Sequence, residues 1–463
     1  MNLAISGAKS PGSKICILRL LTLTTLIPRF PLLIRSSQAQ NYAKLGRVDL
    51  AKSVDNSSLG SECVVVTPHN GRPCIISNND GCVIARSNEA KALGIAMGAP
   101  WHLHKAAFAK QGVVVRSSNY TLYGDLSARV MTILRGFAPD VEVYSIDEAF
   151  LDLAGFDDRL HSHALDMRRT VLQWTGIPVS VGIAPTKTLA KAANRTAKKQ
   201  KGGDGVCILM TGPEQKAALS ALALTDLWGV AGRLATRLEK LSITTPLQLR
   251  DADPQLVRQH LGVLGERLVL ELRGIPCQRL VLSQAANKSI VASRSFGRPV
   301  TEKFELEQAV SAFTERAAEK LRRQGLAASV LQVFVTTNPF KPQERQYAAS
   351  RTVTLPVASA DSTVLLRAAR VALTSVWRDG YRYKKAGVML LDLVPAAMVQ
   401  GDLWTPADTP ARQQLMEAVD VINRRYGRRS VSFAASGVKL GWMLRSEQRS
   451  SRFTTDWSEL LQV

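Results

Sequence analysis

The sequence predicts an α+β protein of several domains. Three observations lead there. Short apolar runs of strand length alternate with helical stretches up to about residue 210. Residues 212–280 read as all-helical with short turns. Residues 288–398 follow a βαββαβ-like order of a small α+β domain. With 463 residues, 46% of them hydrophobic, the chain is long enough for about three or four domains at roughly 100–200 residues each.

The elements follow in order. Pro73–Ser77 is a short apolar run that reads as a buried strand, and Asn78–Gly81 is a turn signal. Ser87–Leu93 has good helix formers, with Gly94 as the stop. Val141–Ser145 alternates as a half-buried strand does, and Ala149–Leu153 forms a second apolar segment after Asp147 and Glu148. Leu165–Trp174 reads as a helix, Ile177–Ile183 as a strand and Thr188–Lys199 as a basic helix followed by a loop to Gly205. In the last domain SIVASRSF, SVLQVFVTT and GVMLLDLV are strands, with helices over Glu305–Arg323 and Leu365–Trp377.

The formal net charge is +22, from 60 Lys+Arg against 38 Asp+Glu, and favours a polyanion partner, nucleic acid before an anionic membrane surface. A basic protein with well-solvated faces is the plainer alternative. None of the six cysteines forms a C-x-x-C pair, which argues against a zinc site, and a chain this long needs no disulfide staples; reduced thiols in a cytoplasmic protein follow. No apolar run reaches the roughly 20 residues of a membrane span. The first 45 residues are atypical: a basic start at Lys9 and Lys14, then an apolar stretch from Ile15 to Ile27 interrupted by Arg19. This segment has the look of a signal peptide or interfacial segment. A leader foreign to the body of the chain is the preferred reading.

Five segments carry chemistry. In Tyr144–Phe150, YSIDEAF, Asp147 and Glu148 stand side by side between a strand and an apolar segment. Mg²⁺ is a hard ion that takes oxygen ligands, and two-metal phosphoryl transfer needs carboxylates that hold two ions about 4 Å apart. A lone Asp-Glu pair on a turn is more often a solvated surface. In Ser180–Asn194, SVGIAPTKTLAKAAN, a strand runs through a loop into a helix N-terminus, a geometry that suits anions, and Lys187 in the loop can meet a triphosphate as a point charge. The third segment is Ser77–Gly94, SNNDGCVIARSNEAKALG, with Arg86 and Lys91. In the fourth, Trp228–Leu238, Gly229, Gly232 and Arg233 belong to a pattern similar to a helix-hairpin-helix, whose backbone amides grip DNA phosphates without reading sequence. A purely structural helical hairpin is the alternative. The fifth, Gln400-Gly-Asp-Leu403-Trp404, has the form Q-x-x-L-[F/W], in which two apolar anchors fill a pocket. The remaining basic residues are spread over Arg316–Arg323, Arg382–Lys385 and Arg424–Arg429, and together make a DNA-tracking surface the economical reading.

Taken together, YSIDEAF, SVGIAPTKTLAKAAN and SNNDGCVIARSNEAKALG resemble the Y family of translesion DNA polymerases, in its UmuC-like branch, over roughly residues 70–463. The resemblance implies a right-hand polymerase: palm over 46–66 and 121–211, fingers over 67–120, a helical thumb with the hairpin motif over 212–284, an α+β little-finger domain over 285–398, and a clamp-binding tail over 399–463. It implies Asp147 and Glu148 as ligands of two Mg²⁺ ions. Arg86, Lys91 and Lys187 would face the incoming nucleotide, and Gly229, Gly232 and Arg233 would face DNA. Gln400, Leu403 and Trp404 would dock on the sliding clamp. Its implied partners are primer-template DNA, the clamp, a UmuD-like accessory dimer and the RecA filament, in an error-prone, SOS-induced reaction in the cytoplasm. No stable membrane association is expected.

The front of the chain departs from the pattern. The family's first palm motif, approximately DxNxFYxSCE, supplies a third metal carboxylate and an aromatic gate against ribonucleotides. The matching stretch here runs Val54-Asp55-Asn56 to Cys63, and no Phe, Tyr or Trp occurs between Ala43 and Pro100. Asp55 takes the place of the missing aspartate if one residue is deleted; an ungapped match puts Ser53 there. The expectation is weak polymerase activity and poor sugar discrimination. The competing reading is a catalytically impaired DNA- and clamp-binding remnant of such a polymerase.

Overall fold

The computed structural model describes residues 15–20, 22–23, 53–54, 72–78, 81–200, 202–283, 286–404, 408–438, 440–443 and 446–460. The chain divides into two compact units, residues 1–283 with 446–463, and residues 284–445.

In the first unit the strands are β1 (Ile15–Leu20), β2 (Thr22–Leu23), β3 (Ser53–Val54), β4 (Cys74–Ser77), β5 (Val83–Arg86), β6 (Val114–Ser117), β7 (Val141–Val143), β8 (Glu148–Asp152), β9 (Val179–Ala184) and β10 (Val206–Ile208). Five of them form one sheet in the order β10-β9-β1-β8-β7. The run Ile-Cys-Ile-Leu-Arg-Leu, expected to belong to a leader outside the palm, is its central strand, antiparallel to both β8 and β9. A six-residue, mostly apolar run is long enough for a strand, and its backbone pairing on both edges outweighs the basic flank that suggested a targeting segment. β3, expected in the palm, pairs with β2 alone among the described residues.

Alternation along β8 sorts its side chains between two cores. Ala149 and Leu151 join the helices Tyr120–Leu134 and Leu160–Thr175, while Phe150 faces the helix Lys187–Lys199 and the helical block behind it. That last helix lies very close to β9. A Cβ on Gly182 would come within 2.2 Å of the Asn194 amide nitrogen, so only glycine fits, and Asn194 Nδ2 donates to the Ser180 carbonyl at 2.7 Å. Sheet β5-β4-β6 packs against the helices Asn88–Ala92 and Trp101–Lys110. The helices Gly212–Ala221, Gly232–Glu239, Pro246–Asp251 and Pro254–Leu272 fill the stretch that reads as all-helical in the sequence.

The second unit has β11 (Ser289–Val300), β12 (Leu326–Thr336), β13 (Ala348–Ser359) and β14 (Tyr383–Pro395) in the order β11-β14-β12-β13. The helices Lys303–Arg323 and Ser362–Val376 cover one face, which reproduces the βαββαβ order read from the sequence. Leu331, Val333 and Val335 alternate toward those helices. The tail is not one body. The helix Pro410–Arg425 is held in this unit by Arg322, whose guanidinium donates to both Asp420 oxygens at 2.8 Å, and Trp442 is buried against Phe296 and Phe313. Residues 446–460 instead return to the first unit, where Asn119 Nδ2 donates to the Ser450 carbonyl at 3.0 Å.

Candidate active site

The hairpin between β7 and β8 builds the site. The amides of Tyr144 and Ser145 both donate to the Glu148 carbonyl at 3.1 Å, which closes the turn. Ser145 Oγ donates to Asp147 Oδ1 at 2.5 Å and accepts from the Asp147 amide at 3.2 Å, fixing that carboxylate at the tip. Asp147 is half-buried and Glu148 is buried at the head of β8. Period-2 alternation puts Glu148 on the side of Phe150, toward the helix 187–199.

From that helix Lys191 reaches Glu148, Nζ to Oε2 at 2.5 Å. Its ammonium also lies 4.9 Å from the ring centre of Tyr144 and 5.3 Å from that of Trp228. Trp228 Nε1 donates to the Tyr144 hydroxyl at 3.2 Å, and Tyr144, Phe150 and Trp228 contact one another. Glu148, Lys191 and Trp228 line an open cavity of about 250 Å³ with Asn194, Arg195, Thr225 and Asp226. Burial pushes the Asp226 carboxyl up, but hydrogen bonds from Lys199, Arg195 and the Ala223 amide outweigh it and hold the group at about 2.

Lys187 does not lie in a loop. Thr186 is the N-cap, its hydroxyl accepting from the Leu189 amide at 3.2 Å, and Lys187 opens the helix. Its side chain is 3% exposed; Nζ donates to Glu142 Oε2 at 2.5 Å and to the Arg279 carbonyl at 2.8 Å. Glu142 also accepts from the Val281 amide at 2.7 Å. Behind it, the buried carboxylate of Glu271 accepts from the amides of Thr188, Cys277 and Gln278. Sequence reasoning passed over Glu142, Glu271 and Lys191. Only Lys191 left a signal, since residues four apart share a helix face.

Arg86 is half-buried at the end of β5 and donates to the Ile95 carbonyl, while Lys91 Nζ donates to Asn88 Oδ1 at 3.2 Å. Gly229 has φ +83°, a conformation that side chains resist, and sets the turn into the helix 232–239, with Arg233 exposed in its first turn. A three-residue 3₁₀ turn, Leu224–Asp226, precedes it. In the other unit Gln400 is exposed, and Leu403 and Trp404 are 91% and 86% exposed. Asp55 lies outside the described residues.

Adjacent carboxylates on a fixed turn offer hard oxygen donors, a set that fits a divalent cation. Among the described residues no group of three or more His, Cys, Asp or Glu side chains is assembled for a metal. No helix of the described residues is long and apolar enough to cross a membrane.

Comparison with known proteins gives the class. Residues 51–195 match the impB/mucB/samB family, 287–403 match that family's C-terminal domain, and 413–463 match a domain of unknown function. Protein UmuC of Salmonella typhimurium is 45% identical over 398 residues, 85% of this chain and 94% of the relative. Protein MucB of Escherichia coli is 39% identical over 83% of this chain and 92% of its own length. DNA polymerase IV of Pelotomaculum thermopropionicum is 31% identical, covering 79% and 89%. A solved Y-family DNA polymerase chimera superposes with a TM-score of 0.59 at 17% identity, covering 82% of this chain and 99% of its own, and supports the right-hand fold. The fold and the carboxylate hairpin thus define a DNA-directed DNA polymerase of the Y family, a class whose substrate is DNA and whose chemistry depends on divalent metal. Within it, the chain belongs to the impB/mucB/samB family and is UmuC-like. The comparisons favour this polymerase function over the impaired remnant.

Proposed function

We propose that the chain extends primers past template lesions by nucleotidyl transfer at the β7–β8 hairpin, with Asp147 and Glu148 as ligands of two Mg²⁺ ions and Asp55 as the third carboxylate. The observation that carries this reading is the pair of adjacent carboxylates at the head of β8 with the Lys191 ammonium 2.5 Å from Glu148. Bound Mg²⁺ would supply charge neutralisation for the triphosphate. The protein's own part is to hold the carboxylates on a rigid hairpin and a cation beside them. Where Glu148 serves a bound ion, Lys191 would be free to contact the triphosphate, and Tyr144 and Trp228 keep its ammonium in place. Arg86 and Lys91 approach the same nucleotide from the fingers. Lys187 acts on it indirectly, by fixing β7 to the helix start. Gly229, Gly232 and Arg233 grip template phosphates.

The solvent-facing Leu403 and Trp404 support docking on a sliding clamp, with Gln400 at the pocket edge. A UmuD-like dimer and the RecA filament complete the proposed assembly, in the cytoplasm and under SOS induction. Primer extension on a template with a defined lesion tests the core of the proposal. Asp147→Ala is expected to abolish extension while primer-template affinity stays nearly unchanged; full extension by that variant overturns the assignment.

A further inference from the structure

On the helix side of the little-finger sheet, three separate stretches of chain bring cations to one place. Arg316, Lys320 and Arg323 come from the helix 303–323, Arg294 from β11 and Arg428 from the segment after the helix 410–425. One carboxylate, Glu319, stands among them. It accepts from Arg316, and from Arg323 Nη2 at 2.7 Å. Glu315, one turn earlier, is occupied by the Ser436 hydroxyl and the Phe433 amide. Burial, then the Arg316 and Arg294 charges, push the Lys320 ammonium down. Burial and then Arg316 do the same to Arg428, with Arg323 and Arg294 adding to it against the pull of Glu319. Five cations held around one carboxylate repel one another, and that repulsion is relieved by a polyanion.

The composition of the patch selects among polyanions. Four of the five cations are arginines, whose planar forks match phosphate oxygens two at a time. Two residues before Arg428 stands Tyr426, 68% exposed, with the Arg425 guanidinium 5.5 Å from its ring centre. An open aromatic face beside arginines is a stacking platform for unpaired bases, which a duplex does not offer. The patch is also separate from the open face of the sheet, where Gln332 donates to Thr352 at 3.1 Å and Lys385 lies 5.7 Å from the ring centre of Phe334.

We propose that Arg294, Arg316, Lys320, Arg323 and Arg428 form a second nucleic-acid site, for a single-stranded segment, on the helix-covered side of the little finger. It is independent of the catalytic hairpin and of the clamp peptide.

The test uses the full chain saturated with unlabelled primer-template and titrated with a labelled oligothymidylate at several salt concentrations. The unaltered chain is expected to bind the oligonucleotide with primer-template in place. In R316Q/K320Q/R323Q/R428Q the slope of log affinity against log salt should flatten by about 3, at roughly 0.7 per lost phosphate contact, with binding on the order of 200-fold weaker at about 0.15 M salt. K320Q/R428Q, which leaves both Glu319 pairs intact, should show about half that change in slope and guards against misfolding of the larger variant. Three results overturn the proposal: no oligonucleotide bound beside primer-template, the same affinity and slope in the double variant, or binding of a labelled polyglutamate in place of the oligonucleotide. The last would assign the patch to an acidic protein.

Discussion

Replacing Lys187 by alanine separates the two roles open to this residue. Its side chain is 3% exposed and that of Glu142 is 9% exposed, so the variant leaves a buried carboxylate whose remaining donor is the Val281 amide. Breaking a buried pair from one side costs about 3–5 kcal/mol. For a unit of this size a loss of 1 kcal/mol lowers Tm by about 1.5 °C, so the expected shift is about 5–8 °C. Lys187→Met combined with Glu142→Gln removes both charges and should regain most of the loss, because an uncharged pair leaves no stranded ion. Lys191→Ala should behave the other way. Its ammonium borders an open cavity where water can take its place, so the melting temperature should fall less and single-turnover dNTP incorporation more. Differential scanning calorimetry and rapid-quench incorporation on the same preparations give both readouts. If Lys187→Ala melts with the unaltered protein yet loses nucleotide affinity, Lys187 reaches the triphosphate and the bracing role derived from its burial is refuted.

Further expectations concern other sites. Asp226, held at about 2, lies below its unfolded value of about 3.9. Its contribution to stability is therefore complete above pH 4 and lost as pH falls from 4 toward 2, and Asp226→Asn should flatten thermal stability across that window; an identical acid limb in the variant would contradict it. Burial, then Glu214 and Asp204, push the Cys207 thiol up to about 11, so at pH 8 its thiolate fraction is about 0.001 and alkylation should label the exposed Cys82 long before it; equal rates for the two would refute this. Leu403→Ala with Trp404→Ala should weaken clamp binding in surface plasmon resonance and leave binding to naked DNA unchanged, whereas an unchanged clamp affinity would make the peptide match accidental. With no Phe, Tyr or Trp between Ala43 and Pro100, incorporation should discriminate weakly between dNTP and rNTP, and strong sugar selectivity in single-turnover assays would place the gate elsewhere in the chain.

Local chemistry made much of this protein readable from its residues alone. YSIDEAF announced a carboxylate turn between two strands, because period-2 alternation and a polar break need only neighbouring residues to be seen. The βαββαβ order of residues 288–398 was legible for the same reason. Tertiary structure decided what depends on partners distant in the chain. Ile15–Leu20 looked like a leader until its backbone found β8 and β9, since hydrogen bonding across a sheet leaves no mark within six residues. Lys187 looked like a solvent-reachable cation because Glu142, 45 residues earlier, and the Arg279 carbonyl, 92 residues later, are invisible to local pattern. The split of the tail between two units has the same cause. Asn119 and Ser450 are 331 positions apart, and only folding brings a donor and an acceptor so far separated within 3.0 Å.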